Sequence, residues 1–72
     1  MHGYVIVIEK AGANWSAYVP DLPGCITTGA TPEECERNMA EAVSGHIATM
    51  REFGDPIPEP STQVSRVEVA AA

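Results

Sequence analysis

Four side chains in this 72-residue sequence belong to the types that ligate metals or pair as nucleophile and base: Cys25, Cys35, His2 and His46. Structural zinc sites take such residues as close pairs, so that one turn or one helix face presents both. No pair here has Cys-x-x-Cys or His-x-x-x-His spacing. Nucleophilic chemistry at Cys25 or Cys35 would need a neighbouring histidine held by a third group. A helix start lowers a thiol pKa, yet Glu33, Glu34 and Glu36 flank Cys35 and oppose a thiolate. Both cysteines read better as small buried hydrophobes, and His46 as an imidazole packed in an apolar stripe. Two thiols are too few for a disulfide framework and fit a reducing compartment.

The carboxylates are equally dispersed. Glu9 is the only acid in the first apolar segment and Asp21 the only one in "PDLPG", where it serves as a turn former. No G-x-x-x-x-G-K-[ST] loop is present. Neither an enzyme nor a cofactor is expected. Ten acidic residues against four basic ones give a net charge of −6, which opposes sequence-independent attraction to a phosphate backbone. Lys10, Arg37, Arg51 and Arg66 are scattered and no second helix is predicted, so direct DNA binding by this chain alone is not expected. The longest apolar run, Tyr4 to Ile8, is too short for a bilayer, and the start "MHGYVIVIEK" lacks a secretory signal. These features predict a cytoplasmic protein that does not engage membranes.

The elements that must position these residues are legible in outline, as a single domain over residues 1–72. "YVIVIEK" is apolar on both alternating faces, as in a central strand. A turn at Gly12 leads to "WSAYV", which makes a hairpin with it. Pro20 ends the second strand because it offers no amide proton, and Pro23-Gly24 suits the middle of a type II turn. "CITT" is a third strand, closed by Gly29. Thr31 caps a helix, Pro32 takes its first position, and Glu34 completes a capping box. Glu33, Glu34 and Glu36 complement the positive end of the helix dipole. Cys35, Met39, Ala42, Val43, His46, Met50 and Phe53 fall in one helical sector. Gly45 either permits close approach of another backbone or is simply tolerated. Gly54 suits a left-handed cap, and "DPIPEPS" a stiff extended connector. "VSRVEV" is predicted as a fourth strand, with Arg66 and Glu68 on one face as suits an edge.

The fold class is therefore α+β, in the order β-β-β-α-β, with a four-stranded sheet in spatial order 3-2-1-4 and one long helix on one face. One helix covers one face only. Val5 and Val7, opposite Tyr4, Ile6 and Ile8, argue against leaving the other face wet. A homodimer or higher oligomer is expected, since a domain this small buries a modest share of its surface alone.

At "PDLPGCITTGATPEEC", followed after the helix by "GDPIPEPS", the sequence resembles the HicB-like antitoxin family. The matching residues are Pro20 to Cys25, Gly29, Thr31, Glu33, Glu34, Asn38, Gly54, Ile57, Pro58 and Pro60, within a resemblance from Tyr4 to about Val69. That resemblance implies a partial RNase H-like fold. It also implies a type II antitoxin that binds a small basic HicA-like toxin, an mRNA-cleaving ribonuclease, and occludes its RNA-binding face. Complementary charge would speed that association. Many members carry a C-terminal DNA-binding domain for which this sequence shows no counterpart, so a role in operon autoregulation is not carried over. Nor is a nuclease role for Glu9 or Asp21. The rival reading is a solitary HicB-like oligomer, a binding or structural module without a cognate toxin. For partner binding the sequence offers Asp21 and Leu22, expected exposed at the turn, together with Glu33 and Glu34. Pro20, Pro23, Gly24, Gly29, Thr31, Gly54 and Pro58 are turn and cap residues.

Overall fold

In the computed structural model, which describes residues 3–71, three strands and one helix follow one another along the chain. Strand β1 spans Val7–Ala11, β2 spans Asn14–Tyr18, β3 spans Ile26–Gly29, and helix α1 spans Pro32–Glu52. The sheet is antiparallel in the order β1-β2-β3. Gly12, with φ of 64°, supplies the positive φ that the tight β1–β2 turn needs at its first central position. Ala11 thereby pairs with Asn14 and Val7 with Tyr18.

Register and pleat then divide the side chains between two faces. Ile8 pairs with Ala17, which pairs with Thr27, so these share a face with Ile6, Trp15 and Val19. That face meets the helix. The core consists of Ala17, Val19, Leu22, Cys25, Cys35 and Met39, with Tyr4, Ile6, Ile8, Trp15, Ala42, Val43, Ile47 and Met50 packed around it. Val7, Tyr18 and Ile26 fall on the opposite face, where Ile26 is 70% exposed. At the end of the hairpin the Lys10 ammonium lies over the ring of its cross-strand partner Trp15, 5.4 Å from the centroid.

Two consecutive turns join β2 to β3. The Leu22 amide donates to the Val19 carbonyl (3.1 Å), and the Cys25 amide to the Leu22 carbonyl (3.1 Å). Gly24 has φ of 82°, as the third position of a type II turn requires after Pro23. The double reversal drives Leu22 inward, where it is 0% exposed. This corrects the expectation that Leu22 stands exposed beside Asp21: a side chain between two opposed turns points at the core, and burying it contributes about 1.5–3 kcal/mol.

The helix starts as its sequence dictates. Thr31 is extended, its hydroxyl accepts from the Glu34 amide (3.1 Å), and Pro32 occupies the first turn. β3 reaches the helix so closely at Gly29 that a Cβ there would lie 2.6 Å from the Cys35 nitrogen. The Asn38 side chain ties the same two elements together by donating to the Thr28 carbonyl (2.8 Å). At the far end the Gly54 amide donates to Arg51 (3.1 Å) and the Asp55 amide to Met50 (2.8 Å), a Schellman closure around Gly54 with φ of 69°. Phe53, expected in the buried stripe, is instead 73% exposed. It is the C-cap residue, where helical periodicity stops governing direction. Ile47 joins the stripe.

The expected fourth strand is the main difference. Among the described residues the sheet has three strands, and residues 64–69 pair with none of them. A strand exists only by its neighbour's hydrogen bonds, and from Gln63 to Ala71 every residue is exposed. The radius of gyration, 14.3 Å, exceeds the ~11 Å of a compact chain of this length, and the longest dimension is 52 Å. Among the described residues β1 is therefore an edge strand, although the run Tyr4 to Ile8 that leads into it is apolar.

Candidate functional site

The residues that could do chemistry are used for packing. Cys25 and Cys35 are free thiols buried between sheet and helix. The Cys25 thiol donates to the Met39 sulfur at 3.9 Å, and burial pushes its pKa up, away from the thiolate that a nucleophile needs. His46 is half-buried on α1. His2 lies outside the described residues. Among the described residues no three His, Cys, Asp or Glu side chains are grouped to hold a metal ion.

What the sequence does organise is a clasp. Asp21 sits in the β2–β3 turn, and its carboxylate accepts four hydrogen bonds from the connector that follows the helix. Oδ2 accepts the amides of Ser61 (3.1 Å) and Thr62 (3.0 Å), while Oδ1 accepts their hydroxyls at 3.0 and 2.9 Å. The Thr62 amide is the largest cause holding the Asp21 carboxyl below its ordinary pKa, and the Ser61 and Thr62 groups add to it against a partial desolvation. A second tie lies upstream, where the Tyr4 hydroxyl donates to the Pro58 carbonyl. The alternating prolines hold the connector extended between these two ties. The two motifs that carry the family resemblance, "PDLPG" and "PIPEPS", thus meet in space at Asp21.

Asp21 is therefore a clasp residue as well as a turn former. Sequence reasoning missed Ser61 and Thr62. The available signal was a Ser-Thr pair directly after the prolines, two residues that each offer a hydroxyl and an amide to one carboxylate.

The expected binding residues do not form one patch. Asp21 is at the end of the sheet where β2 turns into β3, whereas Glu33 and Glu34 follow the other end of β3. Leu22 is withdrawn into the core. Glu33 and Glu34 lie in the first turn of α1. Besides the acidic helix start, two apolar features stand open. One is the uncovered sheet face, with Tyr18 and Ile26 in a shallow depression beside Ser16 and Thr28. The other is a groove of about 330 Å³ between the segment that leads into β1 and the helix, lined by Tyr4, Ile6, Glu36, Met39, Ala40 and Val43. No helix among the described residues is long and apolar enough to cross a membrane.

Comparison with known proteins places this geometry. A family model described as the HicB-like antitoxin of a bacterial toxin-antitoxin system matches residues 4–70. The chain is 41% identical over 56 residues to an uncharacterized 14.9 kDa protein of the rep-hol intergenic region of Haemophilus phage HP1. That match covers 78% of this chain and 42% of the phage protein, so the chain spans less than half of that relative. It is 30% identical over 59 residues to a UPF0150 protein of Thermoplasma acidophilum, covering 82% and 86% of the two chains. A UPF0150 protein of Synechocystis is 30% identical over 60 residues, covering 82% and 76%.

Proposed function

The chain belongs to the HicB-like antitoxin family of bacterial toxin-antitoxin systems, and from that premise we propose that it acts by binding, not catalysis, neutralising a small basic HicA-type toxin that cleaves mRNA. The toxin would be held by its RNA-binding face, so that antitoxin and RNA compete for one surface. The observation that carries this reading is the placement of charge. Among the described residues no charged side chain is buried, so the net charge of −6 is displayed at the surface. A face evolved to hold the phosphate backbone of RNA is a basic one, and a small acidic body complements it. Glu33 and Glu34, standing where the helix dipole is positive, add fixed negative charge at one end of the body. The open sheet face supplies the apolar contact that a lasting complex needs beyond steering, through Tyr18 and Ile26.

The test is to co-express the chain with the small basic protein encoded by an adjacent reading frame and to measure RNA cleavage by the purified toxin. The expected result is co-purification and loss of cleavage at equimolar antitoxin, with association slowing as salt rises. Cleavage at an unchanged rate with the chain in excess would overturn the reading and leave the solitary binding module.

A further inference from the structure

The groove beside β1 and the segment after the clasp are complementary and lie apart. β1 has β2 as its one neighbour among the described residues, so its outer edge presents unpaired amide and carbonyl groups. Where the chain leads into that edge, Tyr4 and Ile6 line a slot with Met39 and Val43 of α1, and Glu36 lines it too. The run that leads into β1, Tyr4 to Ile8, is apolar on both alternating faces, as in a strand with both faces covered. The segment 64–69, "VSRVEV", has the opposite problem. Val64, Val67 and Val69 are 75%, 86% and 84% exposed, half of the large exposed hydrophobic residues among those described. From Arg66 to Val69 alternation puts Val67 and Val69 on one side and Arg66 and Glu68 on the other, with Val64 on the side of Arg66, as one covered and one largely solvated face require.

The clasp decides where this segment goes. Asp21 fixes Ser61 and Thr62 on the body, and every described residue beyond Thr62 is exposed. The segment is thus presented outward from a fixed root, with its own slot empty.

We infer that residues 64–69 of one chain add as the fourth strand to the free edge of β1 in a second copy, and that the exchange is reciprocal. Val67 and Val69 enter the slot that Tyr4 and Ile6, just ahead of β1, form with α1 of the second copy, while Arg66 and Glu68 face solvent. Because each copy both gives and receives the same segment, the assembly closes as a twofold dimer with neither slot left open. The sheet order 3-2-1-4 expected from sequence is recovered, with its last strand drawn from another copy. This inference concerns the chain alone and stands or falls independently of any toxin.

Sedimentation equilibrium of the full chain at micromolar concentration, combined with an isotope-filtered NMR experiment on a mixture of labelled and unlabelled copies, tests it. The expected result is a species of twice the 7.6 kDa chain mass, with intermolecular contacts from the Val67 and Val69 methyls to Tyr4 or Ile6. V67D/V69D should weaken self-association at least about tenfold with unchanged helical circular dichroism, since both positions are exposed in the free chain. E68P, which keeps the valines but removes a backbone donor, should weaken it as well. A monomeric wild type, tail contacts arising within a single chain, or a dimer indifferent to both variants would overturn the proposal. The second result would mean that the segment folds back on its own β1, and the third that the copies meet through the open sheet face.

Discussion

Thr62 donates to Asp21 twice, through its amide at 3.0 Å and its hydroxyl at 2.9 Å, across 41 positions of sequence. Ser61 repeats the arrangement on the same two oxygens. One carboxylate thereby closes a loop containing β3, the whole helix and the connector. The Tyr4 hydroxyl on the Pro58 carbonyl is a second tie, upstream of it. The clasp therefore sets both the return path of the chain and the direction in which residues 63–71 leave.

Replacing the carboxylate by an amide should open this loop locally. In D21N the remaining oxygen can accept from only two of the four clasp donors, and the nitrogen in place of the other oxygen accepts from none, so the connector is held less firmly. Limited proteolysis within residues 59–71 should become several-fold faster while helical circular dichroism stays unchanged. Unaltered cleavage would show that the clasp does not hold the connector.

The same residue has a defined acid limb. Its folded pKa lies below the ordinary value of 3.8, through the Thr62 amide first and the other Ser61 and Thr62 donors after it. For a carboxyl depressed by folding, the contribution to stability is fully present above the unfolded value and disappears as pH falls through the folded one. Amide exchange protection at Ser61 and Thr62, corrected for intrinsic rates, should be flat from pH 7 to 5 and fall only below the usual carboxylate range. In D21N that acid-dependent loss should be absent. Protection already falling between pH 7 and 5 would contradict the assignment.

Gly29 and Gly45 provide a paired test of packing. A methyl at Gly29 would meet the Cys35 backbone at 2.6 and 2.9 Å, and neither the strand nor the helix start can yield cheaply. G29A should cost about 1–3 kcal/mol. At Gly45 an added Cβ meets nothing within 4 Å, on an exposed helical position. G45A should therefore stabilise the free chain by about 0.5–1 kcal/mol. Urea unfolding followed by Trp15 fluorescence gives both values. Equal effects at the two sites would show that the approach of β3 to α1 is looser than described.

How much of this was readable from sequence follows from the range of each interaction. The Thr31 cap, the Pro23-Gly24 turn and the Gly54 closure are set by partners within five residues, and each stands where composition put it. Alternation in "WSAYV" likewise separated the helix-facing Trp15, Ala17 and Val19 from Ser16 and Tyr18. Leu22 was misjudged because two turns in succession reverse its direction, which neither turn signals alone. Phe53 kept the helical period one residue past the point where the helix ends. The contact of Asp21 with Ser61 and Thr62 spans 40 residues and has no local signature beyond polar side chains. For residues 64–69 the pattern showed a strand, but a pattern does not say whose sheet it joins.

Charge at the helix start provides the last prediction. Glu33 and Glu34 stand in the first turn of α1, where negative charge also complements the dipole. If they help to steer a basic toxin, E33K/E34K should lower the association rate about tenfold at low salt, with the gap closing as ionic strength rises and the dissociation rate little changed. Part of any loss could come from a weakened helix, so E33Q/E34Q is the needed companion. It removes the charge without introducing repulsion and should fall between wild type and E33K/E34K. Stopped-flow mixing at several salt concentrations separates the cases. A charge effect acts on the approach rate and is screened, whereas a damaged helix changes the dissociation rate at every salt concentration. Rates that are equal for all three proteins would place the toxin-binding surface away from this end of the body, leaving Tyr18 and Ile26 on the open sheet face as the contact to test.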